Sequence, residues 1–181
     1  ATPARHRAPA APAPRRETQL HPPAPRPGLV PRRRLTERLD AGAAAKLLLV
    51  SAPAGFGKTT LVADWLAAGP AASCGERSVA WLSLDRGDNE SASFWTYVIA
   101  ALQTAGAGVG ANELALLASS QPPPVDLVLT TVPNDLAATG STIVLALDDY
   151  HLIDARYVHD PMGLLLIYIH LYLQQVNASR A

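Results

Sequence analysis

The chain of 181 residues has 15 basic and 15 acidic side chains, so its formal net charge is zero, and it contains a single cysteine, Cys74. One cysteine excludes an internal disulfide and a cysteine-built metal site, which favours a reducing compartment. The most apolar run, residues 163–173, is interrupted by His170 and falls short of the ~20 residues that a membrane helix needs. We therefore expect a soluble, cytoplasmic protein with no membrane partner.

The neutral total hides two unlike regions. Residues 1–38 hold nine of the 16 prolines, and nine arginines against two acids, Glu17 and Glu37. A segment so rich in proline and arginine, and so poor in large apolar residues, cannot bury enough surface to offset the entropy of ordering it. We predict a disordered basic leader over residues 1–27 and a folded domain over residues 28–181. A solvated tail is the simpler interpretation of the leader, and contact with nucleic acid is the alternative.

From residue 28 onward, patterns typical of strands and helices alternate. Short continuous apolar runs indicate strands buried on both faces, and longer segments with one apolar side indicate helices. Ser91 is a predicted helix N-cap, and Pro133 would break or kink the helix in which it lies. Strands separated by helices favour an α/β fold with a mainly parallel sheet and flanking helices. Strands are predicted at residues 46–51, 78–84 and 142–147, and helices at residues 59–68, 91–105 and 125–138.

The aromatic and histidine side chains have simpler interpretations than ligand binding. Trp65, Trp81 and Trp95 fall on apolar faces of predicted elements, so we expect them in the core. His151 and His159 have no partner cysteine or histidine at a spacing that suits a metal, so we expect them in turns.

A glycine-rich segment joins the first predicted strand to the first predicted helix. Residues 52–59 read Ala-Pro-Ala-Gly-Phe-Gly-Lys-Thr, which matches G-x-x-x-x-G-K-(S/T) with alanine in the first glycine position. Glycines allow successive N–H groups to point into one concavity, and the helix N-terminus adds a partial positive charge. Lys58 would contact the β- and γ-phosphates of a nucleotide, and the Thr59 hydroxyl would ligate Mg²⁺. The predicted nucleotide-binding residues are Ala54, Gly55, Phe56, Gly57, Lys58, Thr59 and Thr60.

The third predicted strand ends in two carboxylates, Asp148 and Asp149. Beside a phosphate loop, the first would hold Mg²⁺ opposite the loop threonine, and the second would act as a general base on the attacking water. Acids are also common in turns after strands, so a cap on the following turn is the alternative for Asp149. Asp85, Asp88 and Asn89 follow the second predicted strand, where they would either help to order the site or form an ordinary turn before a helix.

These motifs and their flanks resemble one family, the MalT-like branch of the STAND NTPases, which are large ATP-dependent regulators of the LuxR type. The resemblance runs from Pro27 to about Asp154, with residues 52–59 as the Walker A motif and Asp148 in the Walker B motif. Its blocks are residues 26–32 with 38–40, residues 46–60, residues 79–85 with 87–89 and Phe94, and residues 147–154.

The resemblance implies an ATP/ADP switch that uses Mg²⁺ and is at most a slow ATPase. It implies that residues 29–39 wrap the adenine side of the pocket. It also implies that the whole regulator binds DNA only through a C-terminal helix-turn-helix domain outside this chain, and that self-association of the whole regulator depends on nucleotide. Other functions stay open: a P-loop enzyme such as a small-molecule kinase, or a degenerate remnant that binds nothing.

The last part of the chain departs from the family pattern. After residues 153–154 the family continues with an amphipathic helix and then a strand that ends in Ser-Arg, whose arginine senses the γ-phosphate. Here residues 158–175 are apolar nearly all round. Arg180 is the candidate sensor arginine, and a terminal surface arginine is the alternative. In this class the sensor strand lies between the phosphate-loop strand and the acidic strand. We therefore predict a P-loop NTPase domain that is incomplete at its C-terminus. If residues 166–176 do not supply the sensor strand, the sheet has a gap beside residues 47–50.

Overall fold

The structure, a computed structural model, describes residues 17–24, 28–43, 45–69, 77–156, 158–163 and 165–166. Short 3₁₀ helices at Glu17–Gln19, Arg86–Asn89 and Tyr150–Leu152 punctuate the longer elements. The longer elements are α1 (Arg33–Gly42), α2 (Lys58–Ala68), β1 (Arg77–Ser83), α3 (Ser91–Ala105), α4 (Ala111–Leu117), α5 (Val125–Val128), α6 (Val132–Ala138) and β2 (Thr142–Asp148).

Within the described residues, the sheet consists of β1 and β2, which run parallel. The register pairs Arg77 with Thr142 at one end and Ser83 with Asp148 at the other. Both strands come from continuous apolar runs, which suit a strand that is covered on both faces. The described residues therefore confirm the predicted mixed α/β class and two of the predicted strands, β1 and β2, which run parallel as expected.

Helix α3 covers the sheet and supplies much of the core. Phe94, Trp95 and Ile99 are fully buried and pack with Leu82 of β1. The rings of Phe94 and Trp95 meet edge to face, with their centroids 5.2 Å apart. The predicted N-cap Ser91 is wrong: Glu90 caps the helix, and its carboxylate accepts hydrogen bonds from the N–H groups of Ala92 and Ser93.

Three short helices, α4 to α6, lie between α3 and β2. The single helix predicted at residues 125–138 is divided, because Pro133 has no N–H to continue a helix and lies instead in the first turn of α6. Glu113 of α4 is buried and accepts a hydrogen bond from the Thr131 hydroxyl just before α6. This contact ties the middle segment together at a distance from the glycine-rich segment.

The strand predicted at residues 46–51 is wrong for the described part of the chain. Residues 47–53 have no regular secondary structure, and Leu47 and Leu49 are 67% and 82% exposed. An apolar run becomes a strand only when a neighbouring strand accepts its hydrogen bonds, and the described sheet contains only β1 and β2. The glycine-rich segment therefore leads into α2 without being anchored in the sheet.

The first described segments pack onto this framework. Trp65 of α2 donates its indole N–H to the Asp40 carboxylate of α1 at 2.7 Å, which joins the two helices. Leu20 packs against the core. Residues 1–16 and 25–27 of the predicted leader lie outside the described residues, so the leader and its boundary with the folded domain stay predictions.

Beyond β2, residues 158–163 are helical, and Val158 and Leu165 are buried in the core. The candidate sensor residue Arg180, and residues 167–176 of the segment that could supply the sensor strand, lie outside the described residues. Trp65, Trp81 and Trp95 are all buried, which confirms their prediction as core side chains.

Substitution of a core leucine should be costly. Leu82→Ala leaves a cavity between β1 and α3, so we expect the free energy of unfolding to fall by about 2–5 kcal/mol. Leu127→Ala is the matched control, because Leu127 is 64% exposed and should change that value by less than about 0.5 kcal/mol. Denaturant unfolding followed by circular dichroism measures both. Equal losses would contradict this description of the core.

Candidate functional site

The glycine-rich segment bends sharply before α2. Gly55 and Gly57 have φ values of 82° and 75°, in the left-handed region that a side chain makes costly. Gly57 is also the N-cap of α2, and the Leu61 N–H donates to its carbonyl oxygen at 3.0 Å. The sequence folds this way because two glycines permit turns that alanine or leucine would resist.

Helix α2 points its N-terminus into the bend. No side chain among the described residues caps this end, so the first N–H groups of the helix are available to an acceptor. Their aligned dipoles leave a partial positive charge there, which favours an anion. The segment therefore has the geometry of an anion-binding turn at a helix N-terminus.

Lys58, the first residue of α2, folds back over the bend. Its ammonium group donates to the carbonyl oxygens of Ala52 at 2.9 Å and of Pro53 at 3.2 Å. These acceptors are neutral and exposed, so an anionic acceptor would form stronger hydrogen bonds with the same group. The ammonium group thus lies beside the helix N-terminus, and its two hydrogen bonds could be replaced by bonds to an anion.

Thr59 and Asp148 meet although 89 positions separate them in the sequence. The Thr59 hydroxyl donates to Asp148 Oδ1 at 2.9 Å, and the contact is partly buried. Thr59 stands in the first turn of α2, and Asp148 ends β2. The two predicted metal ligands therefore lie together, one from the glycine-rich side and one from the sheet.

The Asp148 carboxyl has a perturbed acidity. Burial raises the pKa of Asp148 above its ordinary value, the hydrogen bond from Thr59 opposes the rise, and repulsion from Asp149 adds to it. The ionised carboxylate is therefore disfavoured unless a cation joins it. A group with this electrostatics is suited to binding a divalent metal, which favours the ionised form.

Asp149 occupies an unusual backbone conformation. Its φ of 57° is the only positive value at a non-glycine residue in the described part of the chain. Aspartate tolerates this region better than most residues, but the conformation still costs free energy and persists because the surroundings impose it. The Asp149 side chain is half exposed, and its Oδ1 lies 3.8 Å from Nδ1 of His151, which belongs to the following turn.

A cleft of about 330 Å³ opens beside these groups. Five carboxylate or hydroxyl side chains line it, three from α2 and two from the end of β2 and the residue after it, together with two residues of the first described segment. The lining residues are Pro23, Ala24, Thr59, Thr60, Ala63, Asp64, Asp148 and Asp149. The cleft is thus polar on the α2 side and reaches the ends of both predicted metal ligands.

Arg32 reaches the glycine-rich segment from the other side. Its Nη1 donates to the Phe56 carbonyl oxygen at 2.8 Å, and its Nη2 lies 3.3 Å from where a Cβ on Gly57 would stand. A side chain at position 57 would therefore displace this guanidinium as well as strain the backbone. Arg32 lies immediately before α1, so the contact joins residues 29–39 to the bend.

The structure brings together some of the predicted residues and leaves others apart. Lys58, Thr59, Asp148 and Asp149 gather around the N-terminus of α2, and Thr60 lines the cleft beside them. Phe56 is exposed, with only its backbone carbonyl engaged by Arg32. The site assignment itself stays a prediction.

Sequence reasoning missed the individual positions of Arg32 at the bend and of Asp64 in the cleft. Arg32 lay inside a predicted segment, but two further arginines follow it and no pattern distinguishes it from them. Asp64 follows Thr60 by four positions, which puts both side chains on one face of α2, and this spacing could have predicted it beside the site.

Within the described residues, no three or more His, Cys, Asp or Glu side chains group closely enough to hold a metal ion. None of the helices in the same part of the chain has the length and apolar character needed to cross a membrane.

The fold and site define a mixed α/β protein in which a glycine-rich turn at a helix N-terminus meets an acidic strand end. No protein-family model matches the chain. The chain is 34% identical over 151 residues, 83% of its length, to the HTH-type transcriptional regulator MalT of Cronobacter sakazakii. It is 35% identical over 137 residues to the regulators of the same name from two Klebsiella pneumoniae strains. The chain therefore belongs to the MalT-like regulators, and it spans 14 to 16% of the length of these relatives.

The raised pKa of Asp148 predicts a stability gain on neutralisation. The folded state binds the Asp148 proton more tightly than the unfolded state, so stability falls as pH rises through the raised pKa. Asp148→Asn should therefore increase the free energy of unfolding at pH 7. The gain should vanish below about pH 3.9, where the carboxyl is protonated in both states.

Denaturant unfolding at both pH values measures this effect. Asp160→Asn is the control: Asp160 is exposed, and its substitution should change stability by less than about 0.5 kcal/mol. A loss of stability in Asp148→Asn at pH 7 would contradict the electrostatic account.

The positive φ of Asp149 predicts that glycine is more stable than alanine at this position, which is the reverse of their order in a helix. Both Asp149→Gly and Asp149→Ala remove the carboxylate, but alanine is strained at this φ, so the glycine variant should be more stable by roughly 1 kcal/mol. At the helical position Asp126, the same two substitutions should favour alanine by about 0.5–1 kcal/mol. Thermal unfolding of the four variants tests the comparison, which fails if alanine is favoured at both positions.

Proposed function

We propose that the chain is an ATP/ADP-binding switch module of a transcriptional regulator, with the described strands and helices forming part of a P-loop NTPase domain. The observation that carries the proposal is the hydrogen bond of 2.9 Å between Thr59 and Asp148. It puts a hydroxyl from a helix N-terminus and a carboxylate from a strand end in one place. Such a pair suits a magnesium ion, which usually takes one or two protein ligands and completes its shell with phosphate oxygens and water.

The proposed roles follow from the positions of the side chains. Thr59 and Asp148 would hold Mg²⁺, and bound Mg²⁺ would neutralise charge on the phosphate oxygens. The N–H groups at the start of α2 would cradle the phosphates, while Lys58 would exchange its bonds with Ala52 and Pro53 for bonds to phosphate. Asp149 would orient water at the edge of the cleft and accept its proton.

The second part of the proposal concerns the whole regulator. The relatives are HTH-type transcriptional regulators, and this chain spans 14 to 16% of their length. DNA binding would therefore belong to a domain outside this chain, in a cytoplasmic protein. The nucleotide state of this module would control that domain and the association between copies. Residues 29–39, which Arg32 joins to the bend, would cover the adenine side.

Substitution of one lysine should distinguish a direct contact with phosphate from a general loss of positive charge. Lys58→Ala deletes a charged donor to phosphate, so Mg-ATP should bind at least about 10- to 100-fold more weakly. Lys46→Ala is the matched control, because it removes the same charge from an exposed residue outside the bend. Isothermal titration calorimetry gives both dissociation constants.

Equal affinities in the two lysine variants would overturn the site assignment. Transfer of phosphate from ATP to a small-molecule acceptor would overturn the switch and support a kinase. Exchange of ADP for ATP without transfer is the behaviour that the proposal expects.

A further inference from the structure

A second polar turn lies beside the candidate site, after β1. The turn Arg86–Asn89 is shaped by its own aspartates: the Asp85 N–H donates to Asp88 Oδ2, and the Gly87 N–H donates to Asp85 Oδ1, each at 2.7 Å. These bonds stay within the turn. They fix its shape, and Asn89 is its last residue.

The Asn89 side chain joins this turn to the segment after β2. Its Nδ2 donates to the Leu152 carbonyl oxygen at 2.9 Å and to the Arg86 carbonyl oxygen at 3.1 Å. Its Oδ1 accepts from the N–H groups of Asp154 at 2.9 Å and Ala155 at 3.3 Å. The amide thus uses both of its donors and its acceptor oxygen, and three of the four partners are main-chain groups more than 60 positions away.

The segment held in this way begins with Asp149. At its near end, the Leu84 N–H donates to the Asp148 carbonyl oxygen at 3.1 Å, which continues the sheet by one bond. Asn89 fixes its far end at residues 152–155. Asp149 lies between these two anchors, in a left-handed conformation that costs free energy.

We propose that Asn89 is a positioning residue, which imposes the conformation of Asp149 and so aims its carboxylate into the cleft. This inference rests on the proposed function for the role of that carboxylate, and on the hydrogen bonds alone for the conformation. Only an amide can serve here. Aspartate would present a carboxylate oxygen to two carbonyl oxygens, and alanine would leave four main-chain groups without their partner.

The first test needs no nucleotide. If Asn89 imposes the strained conformation, its loss lets Asp149 relax, and the released strain offsets part of the lost hydrogen-bond free energy. Glycine at position 149 has no such strain to release, so we expect Asn89→Ala to lower the urea midpoint in the unsubstituted chain and to lower it further in the Asp149→Gly background. Asn112→Ala, at an exposed position of α4, should leave the midpoint unchanged in both backgrounds. Equal shifts in the two backgrounds would overturn the inference.

The second test separates positioning from binding. Asn89→Ala should slow single-turnover hydrolysis of Mg-ATP by about 10- to 100-fold, a part of the roughly 10²- to 10⁴-fold that a general base contributes, while the dissociation constant changes less than about threefold. In the Asp149→Asn background, Asn89→Ala should cause no further slowing. Additive slowing would assign Asn89 a merely structural role and overturn the inference.

The two proposals fail in distinguishable ways. Absence of Mg-ATP binding in the unsubstituted chain overturns the proposed function and leaves the midpoint comparison to decide the conformational part of the inference. Binding without hydrolysis overturns the part that concerns the Asp149 carboxylate. Asn89→Asp keeps the shape of the side chain, so hydrolysis at the unsubstituted rate in that variant would also overturn the inference.

Discussion

The hydrogen bond from the Thr59 hydroxyl to Asp148 is the interaction on which the candidate site depends. The residues that lead into α2 are not part of the described sheet, so backbone pairing does not fix the helix N-terminus against the end of β2. A side-chain contact between the two elements does so instead. Without it, the anion-binding turn and the acidic strand end would be separate local features. With it, an oxygen pair suited to a hard cation stands beside a positive helix end.

The elements that sequence reasoning predicted well were those whose signal is local. The apolar runs of β1 and β2 and the start of α2 after a glycine are encoded within a few residues. The strand predicted at residues 46–51 failed because strand formation depends on a partner, and composition does not name the partner. Ser91 failed as an N-cap because Glu90, one residue earlier, reaches two amides with a longer side chain. Pro133 acted as its chemistry requires and divided a predicted helix.

The residues of the candidate site also differ in whether their sequence signal is local. Lys58 and Thr59 belong to a contiguous pattern, and Asp148 follows a strand signal, so their proximity could be predicted from a known arrangement of such motifs. The partners of Arg32 and Asn89 were missed because both side chains bind main-chain carbonyl oxygens far along the chain. Every residue offers such an oxygen, so no residue type in the sequence marks the partner. Contacts of this kind become visible only in the folded structure.

Residues 47–53 lie outside the described sheet, and this has a thermodynamic consequence. Backbone outside a hydrogen-bond ladder opens at little cost, so its amide protons exchange with solvent at the fast end of the range for the domain. A ligand that needs this segment in one arrangement must supply the ordering free energy, and its apparent affinity is reduced by the fraction of molecules already so arranged. Any contact that covers Leu47 and Leu49 would therefore tighten binding at the bend without touching the ligand.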